Sequence, residues 1–126
     1  MELEIIQEQS KNSPGISFDP GKGTLKIIGR SIPENPEAVY KPLRDWITRF
    51  FSFSDKLKIE INLEYINSGS SKHLLELLRL LRDFKEGGKH LTIVWLYEED
   101  DEAIMELGEH YRDTSGIPIE IEMIIE

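Results

Sequence analysis

Three observations predict an α/β domain with a mixed sheet. Two short alternating segments near the start flank a Pro-Gly turn, later segments alternate between strand-like and helix-like periods, and two of the strands carry one polar face. An N-terminal hairpin followed by βαβ-type units satisfies all three, and the one-sided strands place the helices mainly on one face of the sheet. The chain reads as a single domain over residues 1–126, with no repeat and no linker.

Residues 1–13 hold only Leu3, Ile5 and Ile6 as clear apolar anchors and read as an edge strand or a loose arm. Gly15–Asp19 and Thr24–Ile28 are strands joined across Pro20-Gly21-Lys22-Gly23, because Pro presets one dihedral and Gly tolerates a positive one. A helix follows: Asn35 is its expected cap, Pro36 suits its first position, and Glu37 favours its positive end. Its apolar stripe is Val39, Leu43, Trp46, Ile47 and Phe50, and its expected end is near Phe53. Pro42 removes an amide inside that run, which predicts a kink or a short helix followed by a longer one.

Between Lys56 and Tyr65 the alternation puts Leu57, Ile59, Ile61, Leu63 and Tyr65 on one side of a strand. A hydroxyl-rich loop, Tyr65-Ile66-Asn67-Ser68-Gly69-Ser70-Ser71-Lys72, then leads to a helix expected from about Leu74. That helix buries Leu74, Leu77, Leu78, Leu81 and Phe84 and stops at Gly87-Gly88. Leu91–Tyr97 is a more buried strand. Asp100, Asp101 and Glu102 open a third helix whose inward residues are Ile104, Leu107 and Tyr111, and Gly116 closes it. The last strand sets Ile117, Ile119, Ile121, Met123 and Ile125 against Pro118, Glu120 and Glu122, and its proline suits an edge.

Composition narrows the function. With 15 Lys+Arg against 24 Asp+Glu the formal charge is -9, which repels nucleic acid and anionic membranes and favours a protein partner with a basic surface. The chain has no cysteine, no apolar run near the roughly 20 residues of a spanning helix, and no basic leader, so a reducing cytoplasm is expected. His73, His90 and His110 sit in separate elements without chelating spacing, and there is no nucleophile elbow and no P-loop. No metal, no cofactor and no enzymatic activity are expected.

The loop therefore stands out. Its serines either cap the following helix, which composition alone favours, or form a site. The segments SIPENPEAVYKPLRDWITRFF, LEYINSGSSKHLLELL and GGKHLTIVWLYEEDDE, in this order, resemble the SiaC family of bacterial regulatory phosphoproteins. In that family the residue after Tyr-hydrophobic-Asn is a phosphorylated hydroxyl, which falls on Ser68. The loop is also similar in arrangement to the phosphoserine loop of STAS-domain anti-sigma-factor antagonists, so a STAS-like fold is expected.

The resemblance implies partner switching. A serine/threonine kinase would phosphorylate Ser68, a PP2C-type phosphatase would reverse it, and the unphosphorylated form would bind an effector such as a diguanylate cyclase. Asn67, Gly69, Ser70, Ser71 and Lys72 are the expected partner-binding residues around it. A constitutive interaction module, or a STAS-type antagonist, is the alternative.

Overall fold

The computed structural model describes residues 2–125. Six strands form one sheet in the order β1 (Glu4–Gln7), β2 (Gly15–Asp19), β3 (Thr24–Ser31), β4 (Lys56–Ile66), β5 (His90–Tyr97) and β6 (Glu120–Met123). β1, β2 and β3 pair antiparallel, and β3 to β6 run parallel. The helices α1 (Pro36–Phe50), α2 (Ser68–Glu86) and α3 (Glu102–Ser115) are the crossovers between successive parallel strands. Each crossover steps one strand in the same direction, and right-handed connections of that kind put every helix on the same face.

The core lies between that face and the helices. Leu25, Ile27, Leu57, Ile59, Ile61, Ile93 and Trp95 from the strands meet Leu43, Ile47, Leu74, Leu77, Leu78 and Leu81 from α1 and α2. Residues 1–13, left open between strand and arm, supply the edge strand β1, with Met1 outside the described residues. The Trp46 indole N–H donates to Glu4 Oε2 at 2.9 Å and ties β1 to α1.

Four expectations need correction. The helix α1 is continuous through Pro42. Pro42 and Ala38 are both exposed, so the carbonyl that proline leaves unpaired lies on the solvent side and breaks nothing in the core. Asn35 precedes α1, but its side chain makes no capping bond. The last strand is shorter than expected, because Ile117 and Ile119 are buried before β6 begins, while Met123 and Ile125 are exposed.

The fourth concerns β4. Its alternation breaks where Gly29 pairs with Leu63 but Arg30 pairs with Tyr65, so Glu64 is an extra residue, a bulge. Gly29 has φ of 103°, a conformation that favours glycine, at the same point of β3. The inserted residue inverts the phase: Tyr65, expected on the core side, is 53% exposed, and Ile66 turns inward.

Candidate functional site

The segment expected to be a loop is not one. β4 ends at Ile66, one residue intervenes, and α2 begins at Ser68 rather than near Leu74. The intervening Asn67 has an extended backbone, and its N–H donates to the Ser31 carbonyl at 3.1 Å, continuing the β3–β4 pairing. Its side-chain oxygen accepts from the Ser70 N–H at 2.9 Å, and its carbonyl accepts from the Ser71 N–H at 2.9 Å. Asn67 is therefore the cap, a role the sequence left to the serines, and none of the three serines performs it.

Helical phase then sorts the hydroxyls. Ser68 and Gly69 point to solvent, and so does Lys72. Ser70 is fully buried, and its hydroxyl has no hydrogen-bond partner among the described residues. Ser71 is half-buried, its hydroxyl 2.5 Å from that of Tyr111 on α3. Of the expected contact residues, Gly69 and Lys72 are thus accessible, Asn67 is half-buried as a cap, and Ser70 and Ser71 face inward. Gly69 is helical, and a Cβ there would meet Pro36 Cγ at 3.7 Å, an ordinary contact, so no special backbone conformation requires glycine.

Beneath this first turn is a set of hydroxyls. The Ser31 and Tyr40 hydroxyls lie 2.7 Å apart in the interior, joining the end of β3 to α1. Burial pushes the Tyr40 phenol up to about 12, against the opposing effect of its bond to Ser31. Burial also raises the Tyr111 phenol, opposed by Ser71. Tyr40 stacks on His73 of α2, with ring centroids 5.9 Å apart. Beside them Arg44 pairs with Glu37, holding that carboxyl below its usual range, and approaches Glu76 of α2 at 4.0 Å. The beginning of α2 is thereby held from both sides.

Charge distinguishes this helix start. α1 has Glu37 in its first turn, and α3 has the Asp101 cap and Glu102. α2 has a neutral cap and no acidic residue in its first turn. The amides of Ser68 and Gly69 have no acceptor within the helix, so the partly positive end of α2 carries no compensating carboxylate. Lys72, one turn after Ser68, adds a cation on the same face. A phosphate on Ser68 would meet favourable electrostatics there without displacing any buried group.

Tyr65 was missed as a member of this surface. Its exposure depends on the bulge at Glu64, and the local alternation gave the opposite orientation. Gly29, the matching irregularity in β3, was the available signal. Among the described residues no cluster of three or more His, Asp or Glu side chains is placed to hold a metal ion, and no helix is long and apolar enough to cross a membrane.

The site is thus a one-sided α/β sheet that presents exposed hydroxyl, tyrosine and lysine groups where a strand passes through a single residue into a helix. Comparison with known proteins gives the family. The chain belongs to the SiaC family of regulatory phosphoproteins, whose family model matches residues 7–124. A protein of Pseudomonas aeruginosa strain UCBPP-PA14 is 30% identical over 114 residues, 90% of each chain. The solved structure of SiaC from Pseudomonas aeruginosa superposes with a TM-score of 0.84 at 28% identity, covering 98% of this chain and 100% of that one. A crystal structure of the diguanylate cyclase SiaD in complex with its activator SiaC, from the same organism, matches with a TM-score of 0.86 at 28% identity, covering 94% of this chain and 98% of that one.

Proposed function

We propose that this chain is a phosphorylation-controlled activator that binds a diguanylate cyclase when Ser68 is free and releases it when Ser68 carries a phosphate. The observation that carries this reading is the position of Ser68: exposed, first in α2, at the one helix start among the three that has no carboxylate. Family membership and the likeness to SiaC bound to SiaD support the choice of effector. A kinase and a PP2C-type phosphatase complete the cycle.

The physics separates fold from interface. Within the chain the phosphate meets free amides and Lys72, so the fold tolerates it. Against a partner the same group brings roughly -1.5 to -2 charges into a desolvated contact, which costs binding unless the partner supplies cations. The contact surface comprises Tyr65, Ser68, Gly69 and Lys72, with Glu76 and Arg79 further along the exposed side of α2. Ser70 and Ser71 act beneath it, as part of the seat.

Calorimetry with the cyclase encoded in the same genome tests the proposal, using wild type, Ser68→Ala and Ser68→Asp. Wild type and Ser68→Ala should bind and raise cyclase turnover, while Ser68→Asp should lose about a hundredfold in affinity, near 2.7 kcal/mol. Equal binding by the alanine and aspartate variants, with both folded by circular dichroism, would remove Ser68 from the switch.

A further inference from the structure

The sheet has two edges of different kinds. β1 is irregular, with its register shifting between Ile5 and Gln7, and it is anchored to α1 through Glu4 and Trp46. At the other edge, among the described residues, no strand lies beyond β6. The Ile124 N–H donates to the Tyr97 carbonyl at 2.8 Å, so even-numbered residues here turn their backbone groups toward β5. Alternation leaves the N–H and C=O groups of Ile121 and Met123 directed away from the sheet.

The side chains along this edge are of two sorts. Met123 and Ile125 are exposed apolar groups, 41% and 87% accessible, and Met123 shares the alternation phase of Ile121, which packs against the core on the helix side. Glu120 and Glu122 are exposed on the opposite face. Tyr97 pairs with Met123, so the exposed turn that follows it, Glu98-Glu99-Asp100, brings three more carboxylates to the same end of the edge. Two copies joined through β6 would set these acids against one another, which disfavours self-pairing. A strand with cations on one face and apolar groups on the other would match both the carboxylates and the exposed Met123 and Ile125.

We propose that the β6 edge is a strand-addition site for an extended segment of a partner protein in which Lys or Arg alternates with apolar residues. Backbone bonds to Ile121 and Met123 hold the segment, and Glu120 and Glu122 select its charge. The site is separate from Ser68 and does not depend on the phosphate.

A short blocked peptide alternating Lys with Val is the probe, and its Glu-Val counterpart the control. Fluorescence anisotropy and amide-exchange NMR on the wild-type chain should show binding by the Lys-Val peptide alone, weakening as salt rises, with new protection at the Ile121 and Met123 amides. Met123→Pro removes an outward-facing donor without removing a bond to β5, so it should fold and weaken binding about tenfold. Glu120→Lys with Glu122→Lys should do the same through charge. Absence of binding, binding without protection of those two amides, or an unaltered affinity in folded Met123→Pro would overturn the proposal. Protection of the same amides through dimerisation without peptide, read by light scattering, would assign the edge to a second copy instead and overturn it equally.

Discussion

The starts of α2 and α3 use one geometry for two purposes. Both follow a parallel strand and both are capped by an Asx side chain that accepts from the third residue of the helix, Asn67 from Ser70 at 2.9 Å and Asp101 from Ile104 at 3.1 Å. At α3 the cap is a carboxylate, followed by Glu102, so the helix dipole is already compensated. At α2 the cap is neutral and the next residues are Ser68 and Gly69. What lies beneath differs as well. α2 begins over the hydroxyls of Ser31, Tyr40 and Tyr111, whereas α3 rests on Trp95, whose indole N–H donates to the Ile104 carbonyl at 2.8 Å. One start is complete in charge and closely packed, and the other leaves a place for an anion above a polar seat.

The largest effect expected on this contrast comes from the seat under α2. The unfolded Tyr40 phenol ionises near 10 and the folded one near 12, so ionisation favours the unfolded chain once pH exceeds 10. The contribution of Tyr40 to stability is complete below pH 10 and falls by about 2 to 3 kcal/mol as pH rises through 12. Denaturant titrations across that window should show the loss in wild type and a smaller one in Tyr40→Phe. If the two curves have the same slope, Tyr40 does not set the alkaline limit.

Packing under α3 comes next. A Cβ on Gly108 would lie 2.4 Å from Trp95 Cδ1, and that ring is fully buried. Gly108→Ala should therefore cost about 2 kcal/mol by thermal melting, even though alanine is the better helix former. By contrast Gly69→Ala meets only ordinary contacts and should be neutral or slightly stabilising.

Removing either cap should cost about 1 kcal/mol, Asn67→Ala and Asp101→Ala alike, since each strands one helical amide. The smallest effect is the most specific. Asn67→Asp should stabilise the chain by about 0.5 kcal/mol and Asp101→Asn should destabilise it by a similar amount, because the first adds a carboxylate to an uncompensated dipole and the second takes one from a compensated dipole. Melting temperatures that move in the same direction for both would show that charge does not distinguish the two starts.

Much of this was legible in the sequence where the signal is local. The leucines of α2, the hairpin around Pro20-Gly21, the buried run of β5 and the acidic opening of α3 all lie where periodicity and turn chemistry place them. The segment Tyr65–Lys72 was also recognisable as unusual, and three serines together with glycine explain why it read as a loop. Pro42 misled for a related reason: the cost of a missing amide depends on which side of the helix it faces, and that side is set by packing.

The tertiary structure alone decided which hydroxyl faces solvent. The phase of α2 follows from where the helix starts, and its start follows from Asn67, whose amide is fixed by the Ser31 carbonyl of the neighbouring strand. That register depends in turn on the bulge at Glu64 opposite Gly29, which also turns Tyr65 outward. A shift of one residue rotates a helical side chain by about 100° and reverses a strand. Composition and alternation determined an α/β chain with a serine-rich strand-to-helix junction. Pairing between distant strands decided that Ser68 faces out while Ser70 and Ser71 face in.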